Sequence, residues 1–224
     1  MIRAGLFAAL LPVAAAAQSP VSLPAGCEGY VTVQKRSCTV SHYFTCDGDP
    51  EGHQWRVDYG EVGMLYMGRI DAETQGIESF HIEANSVERL APNPADPASL
   101  TELLATGRDE WDFQTVSDPL AVTIFRGHDE LTGNQVTIDG VTLDETIFDV
   151  TATDPTGAEL WRVTGSEFVS REWRTFLSGV RVVTTPDEQY ETDARPVEFL
   201  FPGEEGFLSA TPRHECSNVL SKGQ

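Results

Sequence analysis

The chain has 224 residues, with 15 Lys and Arg against 35 Asp and Glu, a formal net charge of −20, and 40% hydrophobic residues. A chain of this length can bury one core of ordinary size, and its aromatic and aliphatic content excludes a disordered acidic chain. The charge repels phosphate backbones, which excludes nucleic-acid binding by counterion release.

Arg3, the apolar run 4–14 and Ala15-Ala16-Ala17 read as a secretory signal peptide over residues 1–17, leaving 18–224 as a single β-rich domain. No later apolar stretch approaches the roughly 20 residues of a membrane-spanning helix. The expected location is the periplasm or the cell exterior. Cys27, Cys38, Cys46 and Cys216 then lie in an oxidising compartment, and their even number predicts two disulfides. Residues 38–46 read as one strand whose ends lie about 26 Å apart. A disulfide needs Cα atoms within about 7 Å, so Cys38 does not pair with Cys46, and one of the two reaches Cys216.

In chain order, strands are expected at 30–34 and 38–46, with the alternation changing phase at 35–37. An acidic turn at 47–52 leads to strands at 54–59, 64–70 and 77–84. Asp96 as N-cap and Pro97 at the first helical position open a short helix at 97–106, with Leu100, Leu103 and Leu104 on one face. Further strands are expected at 111–116, 121–126, 135–138, 141–143, 146–153, 159–164, 167–169, 175–184 and 197–201. Asp139-Gly140 marks a two-residue hairpin turn. Gly179 and the polar stretch 186–195 read as breaks. The fold class is all-β and mostly antiparallel: a curved sheet, half-barrel or barrel-like, carrying one helix, with a two-sheet β-sandwich as the alternative.

Four segments carry a resemblance: Cys38 to Trp55 with its Gly48-Asp49-Pro50 turn, Asp96-Pro97-Ala98-Ser99-Leu100-Thr101-Glu102-Leu103, Ser170-Arg171-Glu172-Trp173-Arg174, and Pro202-Gly203-Glu204-Glu205-Gly206-Phe207-Leu208. Together they resemble an uncharacterised family of small secreted bacterial proteins. The resemblance implies an envelope location and brings no functional residue with it.

Asp47, Asp49 and Glu51 before Gly52, with Asp58 at the twelfth position, approximate a calcium loop, against the reading of a plain acidic hairpin turn. Cys38, His42 and Cys46 recur every four residues, but on a strand successive members stand about 13 Å apart, which excludes a shared zinc ion. Gly165-Ser166-Glu167-Phe168 lacks the closing Gly of a nucleophile elbow. Arg171, Trp173 and Arg174 gather scarce positive charge around a Trp, the composition of a binding hot spot and equally of cross-strand ion pairs beside a packed ring. Phe199-Leu200-Phe201 and Phe207-Leu208 read as core; lining a cavity together with Leu100, Leu103 and Leu104, they would instead suit an apolar ligand.

These features suggest a binding or interaction protein without catalytic activity, holding an apolar ligand or an envelope protein partner. The alternative is a hydrolytic enzyme whose site is dispersed over several strands.

Overall fold

The computed structural model describes residues 20–118 and 121–216; the expected signal peptide, 1–17, lies outside the described residues. The strands in chain order are β1 (Cys27–Lys35), β2 (Thr39–Cys46), β3 (Gln54–Gly60), β4 (Gly63–Ile70), β5 (Gly76–His81) and β6 (Ser86–Leu90). After helix α1 (Leu100–Thr106) come β7 (Arg108–Ser117), β8 (Ala121–Ile138), β9 (Val141–Thr153), β10 (Glu159–Ser170), β11 (Thr175–Leu177), β12 (Val180–Thr184), β13 (Gln189–Asp193) and β14 (Pro196–Leu200). All pairings are antiparallel, and the order across the one sheet is β13-β12-β10-β9-β8-β7-β6-β5-β4-β3-β2-β1-β14, with β11 on β10. All the strands belong to one sheet, whose ends β13 and β14 are not paired with each other, so it is an open curved sheet and neither a sandwich nor a closed barrel.

The sheet rolls on itself. Val31, Val33 and Tyr43 of β1 and β2 share a core cluster with Leu143, Phe168 and Leu177 of β9, β10 and β11 and Phe199 of β14. The tip of the β8–β9 hairpin reaches β14, where Asp139 Oδ2 accepts from the Phe199 amide at 2.8 Å. That tip is the expected Asp139-Gly140 turn, and both residues have positive φ, 47° and 81°.

The outer face of β1 and β2 is covered by the C-terminal segment. The Gln34 carboxamide donates to the Thr211 carbonyl and accepts from the Arg213 amide, and Thr32 Oγ1 accepts from the Leu208 amide. Cys38–Cys216 fastens this cover and Cys27–Cys46 closes the β1–β2 ladder, which settles the pairing between the two alternatives left open by the sequence. The expected change of phase at 35–37 is the hairpin turn between β1 and β2, with Cys38 at φ 52°. His42, fully buried beneath the cover, shares a 2.9 Å hydrogen bond between Nδ1 and Thr32 Oγ1. Burial pushes its imidazole down to about 4, against the opposing charge of Asp58.

Five expectations are corrected. The helix begins at Leu100, because the backbone of Asp96 is engaged with Asp112 in an isolated bridge and the Ala98 amide is taken by Gln75 Oε1. Ser99 is the N-cap, with Oγ accepting from the Glu102 amide, and Gly107 closes the helix in the left-handed region. The segments 141–143 and 146–153 form one strand, β9, and 159–164 and 167–169 likewise form β10. The segments 121–126 and 135–138 also belong to one strand, β8, and a bulge between Leu131 and Gln135 absorbs the change of alternation that reads as a break. The polar stretch 186–195 contains β13, an edge strand whose exposure removes the need for apolar alternation.

Candidate functional site

The registers of β7 to β13 stack the inner face of the sheet into rows. One row runs Asp109, Asp129, Phe148, Gly165, Arg181 and Thr192; the next runs Trp111, Gly127, Val150, Val163, Val183 and Tyr190; a third carries Phe113, Phe125, Ala152 and Trp161. On the other side of the first row, Glu167 pairs with Thr146. Alternation at period 2 therefore places one set of aromatic and charged side chains on the inside.

Trp111 lies over Gly127: a Cβ built there would stand 2.6 Å from the indole ring. The Trp111 Nε1–H donates to Asp129 Oδ2 at 3.1 Å. From Trp111 the rings continue to Phe113 (centroids 5.5 Å apart), on to the stacked Phe125 (5.2 Å) and then to Trp161 (5.7 Å). These separations fall within the range of favourable ring contacts.

A cavity of about 330 Å³ opens on this surface, with Trp111, Phe148, Trp161 and Phe176 as aromatic walls and Asp129, Glu167 and Arg181 as its charged groups. Through Thr74 and Phe176 it adjoins a second space of about 100 Å³ beside Tyr43, Arg56 and Tyr66. Through Tyr66 and Ile70 that space adjoins a third of about 170 Å³, lined by Phe113 and Phe125. The three form a trough along the inner face. Helix α1 plugs the sheet beside it: Leu100 and Leu103 are fully buried against Val169, with Leu104, Leu131 and Phe176 packed around them.

Charge on the inner face is unevenly satisfied. Lys35 Nζ stands 3.6 Å and Arg56 Nε 3.3 Å from the Asp58 carboxylate, and Ser41 Oγ donates to it at 2.6 Å. Burial pushes the Asp58 carboxyl up, but Arg56, Lys35 and the Ser41 hydrogen bond outweigh it and hold it below its usual value. Glu167 has neither an ion pair nor a side-chain hydrogen bond among the described residues. Burial and the neighbouring Asp129 charge push its carboxyl up to about 7, against Arg181 and Arg56. Burial also pushes Asp129 up to about 6, with the Trp111 hydrogen bond opposing and Asp109 adding. Arg181 Nε donates to Thr192 Oγ1 at 3.1 Å.

The residues singled out in the sequence are placed otherwise. Trp173 packs against Tyr30, Phe199 and Phe201, with centroids 5.8 to 6.3 Å away. Arg171 pairs with Asp144, and Arg174 holds Glu73, the Thr101 hydroxyl and the Ala72 carbonyl. Leu100, Leu103 and Leu104 do not line the cavity of 330 Å³; they belong to the plug. Asp49 accepts from Trp55 Nε1 and Arg69, which fixes the β2–β3 turn, and Asp58 lies inside the rolled sheet. Asp47, Asp49 and Glu51 do not bring their ligand atoms within metal-binding reach of one another. Among the described residues, the one group of His, Cys, Asp or Glu ligand atoms within metal-binding reach is Cys38, Cys216 and Glu61, whose sulfurs form the disulfide.

Asp129 and Glu167 were missed as site residues because they fall on different strands, 38 positions apart, and only the register aligns them. Among the described residues no helix is long and apolar enough to cross a membrane. Compared with protein-family models, curated proteins and solved structures, the chain matches none.

Proposed function

We propose that this chain is a binding protein of the bacterial periplasm or cell exterior, without catalytic activity, which holds an apolar molecule along the inner face of its rolled sheet. The observation that carries the reading is the continuity of the trough: three adjoining spaces share lining residues and are walled by Trp, Phe, Tyr and Val. Concave, largely apolar surfaces with a few placed polar groups are the usual form of small-molecule sites. A chain held in the trough removes apolar area from water at about 25 cal/mol per Å², the main source of its affinity. The trough favours a small apolar molecule over an envelope protein, because a folded partner cannot enter it.

Native mass spectrometry of the chain, exported into a bacterial periplasm and purified gently, tests this. The expected result is an oxidised chain carrying a noncovalent adduct of lipid size, lost when Trp161 is replaced by Asp. A bare chain mass after export, together with no uptake of added apolar probes, overturns it.

The hydrolytic reading draws on one observation, the two carboxylates of raised proton affinity, Glu167 and Asp129, in one cavity. A general acid with a pKa near neutrality is the form such chemistry takes. It requires turnover of an ester or glycoside probe that is abolished by Glu167→Gln, and activity unchanged in that variant would end it.

A further inference from the structure

The trough carries two groups of opposite charge that make no ion pair with each other. Arg181 and Glu167 sit on the inner face of adjacent strands: Arg181 is registered with Gly165, and Glu167 lies two residues further along β10. Strand spacing and rise put their Cα atoms about 8 Å apart. They make no ion pair, and every other Lys and Arg among the described residues does, in a chain where acids outnumber bases. Both line the same cavity, together with Trp111, Phe148, Val150, Trp161 and Val163. The guanidinium spends Nε on Thr192 and leaves its terminal nitrogens uncommitted among the described residues. The Glu167 carboxylate accepts no hydrogen bond there either.

Glu167 is half-buried and Arg181 is exposed at the cavity wall, so both remain open to a ligand, and one that brings the missing counter-charges gains a charge-assisted contact with each. A ligand with one charge would answer half of this arrangement. A lone anion on Arg181 meets Glu167 and Asp129, and a lone cation at Glu167 meets Arg181. Aromatic rings beside the carboxylates add the attraction of a π face for an ammonium.

We propose that this cavity binds a zwitterionic group: an ammonium seated against Glu167, Asp129 and the Trp111 and Trp161 rings, with its covalently linked anion on the Arg181 guanidinium. The inference rests on the binding reading above and names the head of the molecule whose apolar part lies along the trough. The same head chemistry is carried by a phospholipid and by a free zwitterionic solute.

Calorimetric titration of the exported chain, with both disulfides formed, separates these cases. The probes are phosphocholine, choline, inorganic phosphate, dihexanoyl phosphatidylcholine below its micellar concentration, and uncharged dioctanoylglycerol. Phosphocholine is expected to bind, with choline and phosphate each at least about tenfold weaker, as loss of a charge-assisted contact implies. Glu167→Gln and Arg181→Gln should each weaken phosphocholine about ten- to hundredfold. Circular dichroism and melting temperature establish that each variant is folded. Tighter binding of the phosphatidylcholine than of phosphocholine assigns the head to a lipid, and equal binding assigns it to a free solute and removes the role of the trough. Saturable dioctanoylglycerol binding without phosphocholine binding leaves the trough reading standing and overturns the zwitterion. Choline or phosphate binding as tightly as phosphocholine, or folded variants indistinguishable from the parent, also overturns it.

Discussion

Lys35 and Asp58 face each other at 3.6 Å inside the rolled sheet, with 6% and 13% of their side-chain surfaces exposed. Asp58 also answers Arg56 and accepts from Ser41, so one carboxylate serves a buried lysine and a partly exposed arginine. Asp58→Asn leaves the buried Lys35 without its counter-charge and should cost about 3–5 kcal/mol. Lys35→Met leaves Asp58 its other partners and should cost clearly less. Urea denaturation of the two variants checks the order; equal losses would show that Arg56 and Ser41 do not hold Asp58 by themselves.

The two disulfides differ in the chain they close. Cys27–Cys46 spans 19 residues and joins directly paired positions of β1 and β2, while Cys38–Cys216 spans 178. In the loop-entropy account they stabilise by about 3 and about 5 kcal/mol. The Cys38→Ala/Cys216→Ala chain should therefore melt below the Cys27→Ala/Cys46→Ala chain. It should also exchange the Leu208 and Arg213 amides faster in hydrogen-exchange mass spectrometry, because these bind the outer face of β1 that the tail covers.

Glu167 gives stability a defined pH dependence. Burial and the Asp129 charge raise its folded-state value from 4.5 to about 7, so between those limits the folded chain holds a proton that the unfolded chain has released. Its contribution is fully present below 4.5 and is lost as pH rises through about 7. Glu167→Gln removes this dependence. The stability of the variant relative to the parent should rise by about 2 kcal/mol between pH 5 and pH 8. A difference that stays flat over that range would mean that Glu167 ionises in the native state as freely as in water.

Much of the fold is legible because turn chemistry and alternation agree locally. Asp139-Gly140 marks its hairpin, and the edges of β3 and β4 fall near the expected residues. What misleads is length. Leu131 to Gln135 is a bulge within one strand that reads as a gap between two, and β13 is polar because it is an exposed edge. The helix is legible by its leucines and mispositioned at its start, since Gln75 and Asp112 capture the backbone ahead of Ser99. The trough is barely legible at all. Trp111, Asp129, Phe148, Glu167 and Arg181 become neighbours through the registers of five strands, a relation that spacing along one chain does not encode. Leu100, Leu103, Leu104 and Trp173, which spacing and composition did single out, went to the plug and the core because they had the apolar area to fill them.

The claim that the inner face is the binding surface is tested most directly by tryptophan quenching. Of the four tryptophans, Trp111 and Trp161 wall the cavity of 330 Å³, Trp55 bonds Asp49 and borders the adjoining smaller space, and Trp173 packs into the core. An uncharged monoacylglycerol brominated on its chain should quench the fluorescence of the folded protein saturably. Most of that quenching should vanish in the Trp111→Phe/Trp161→Phe chain. An absence of saturable quenching, or quenching that survives undiminished in that chain, would contradict the assignment of the trough as the place where an apolar molecule is held.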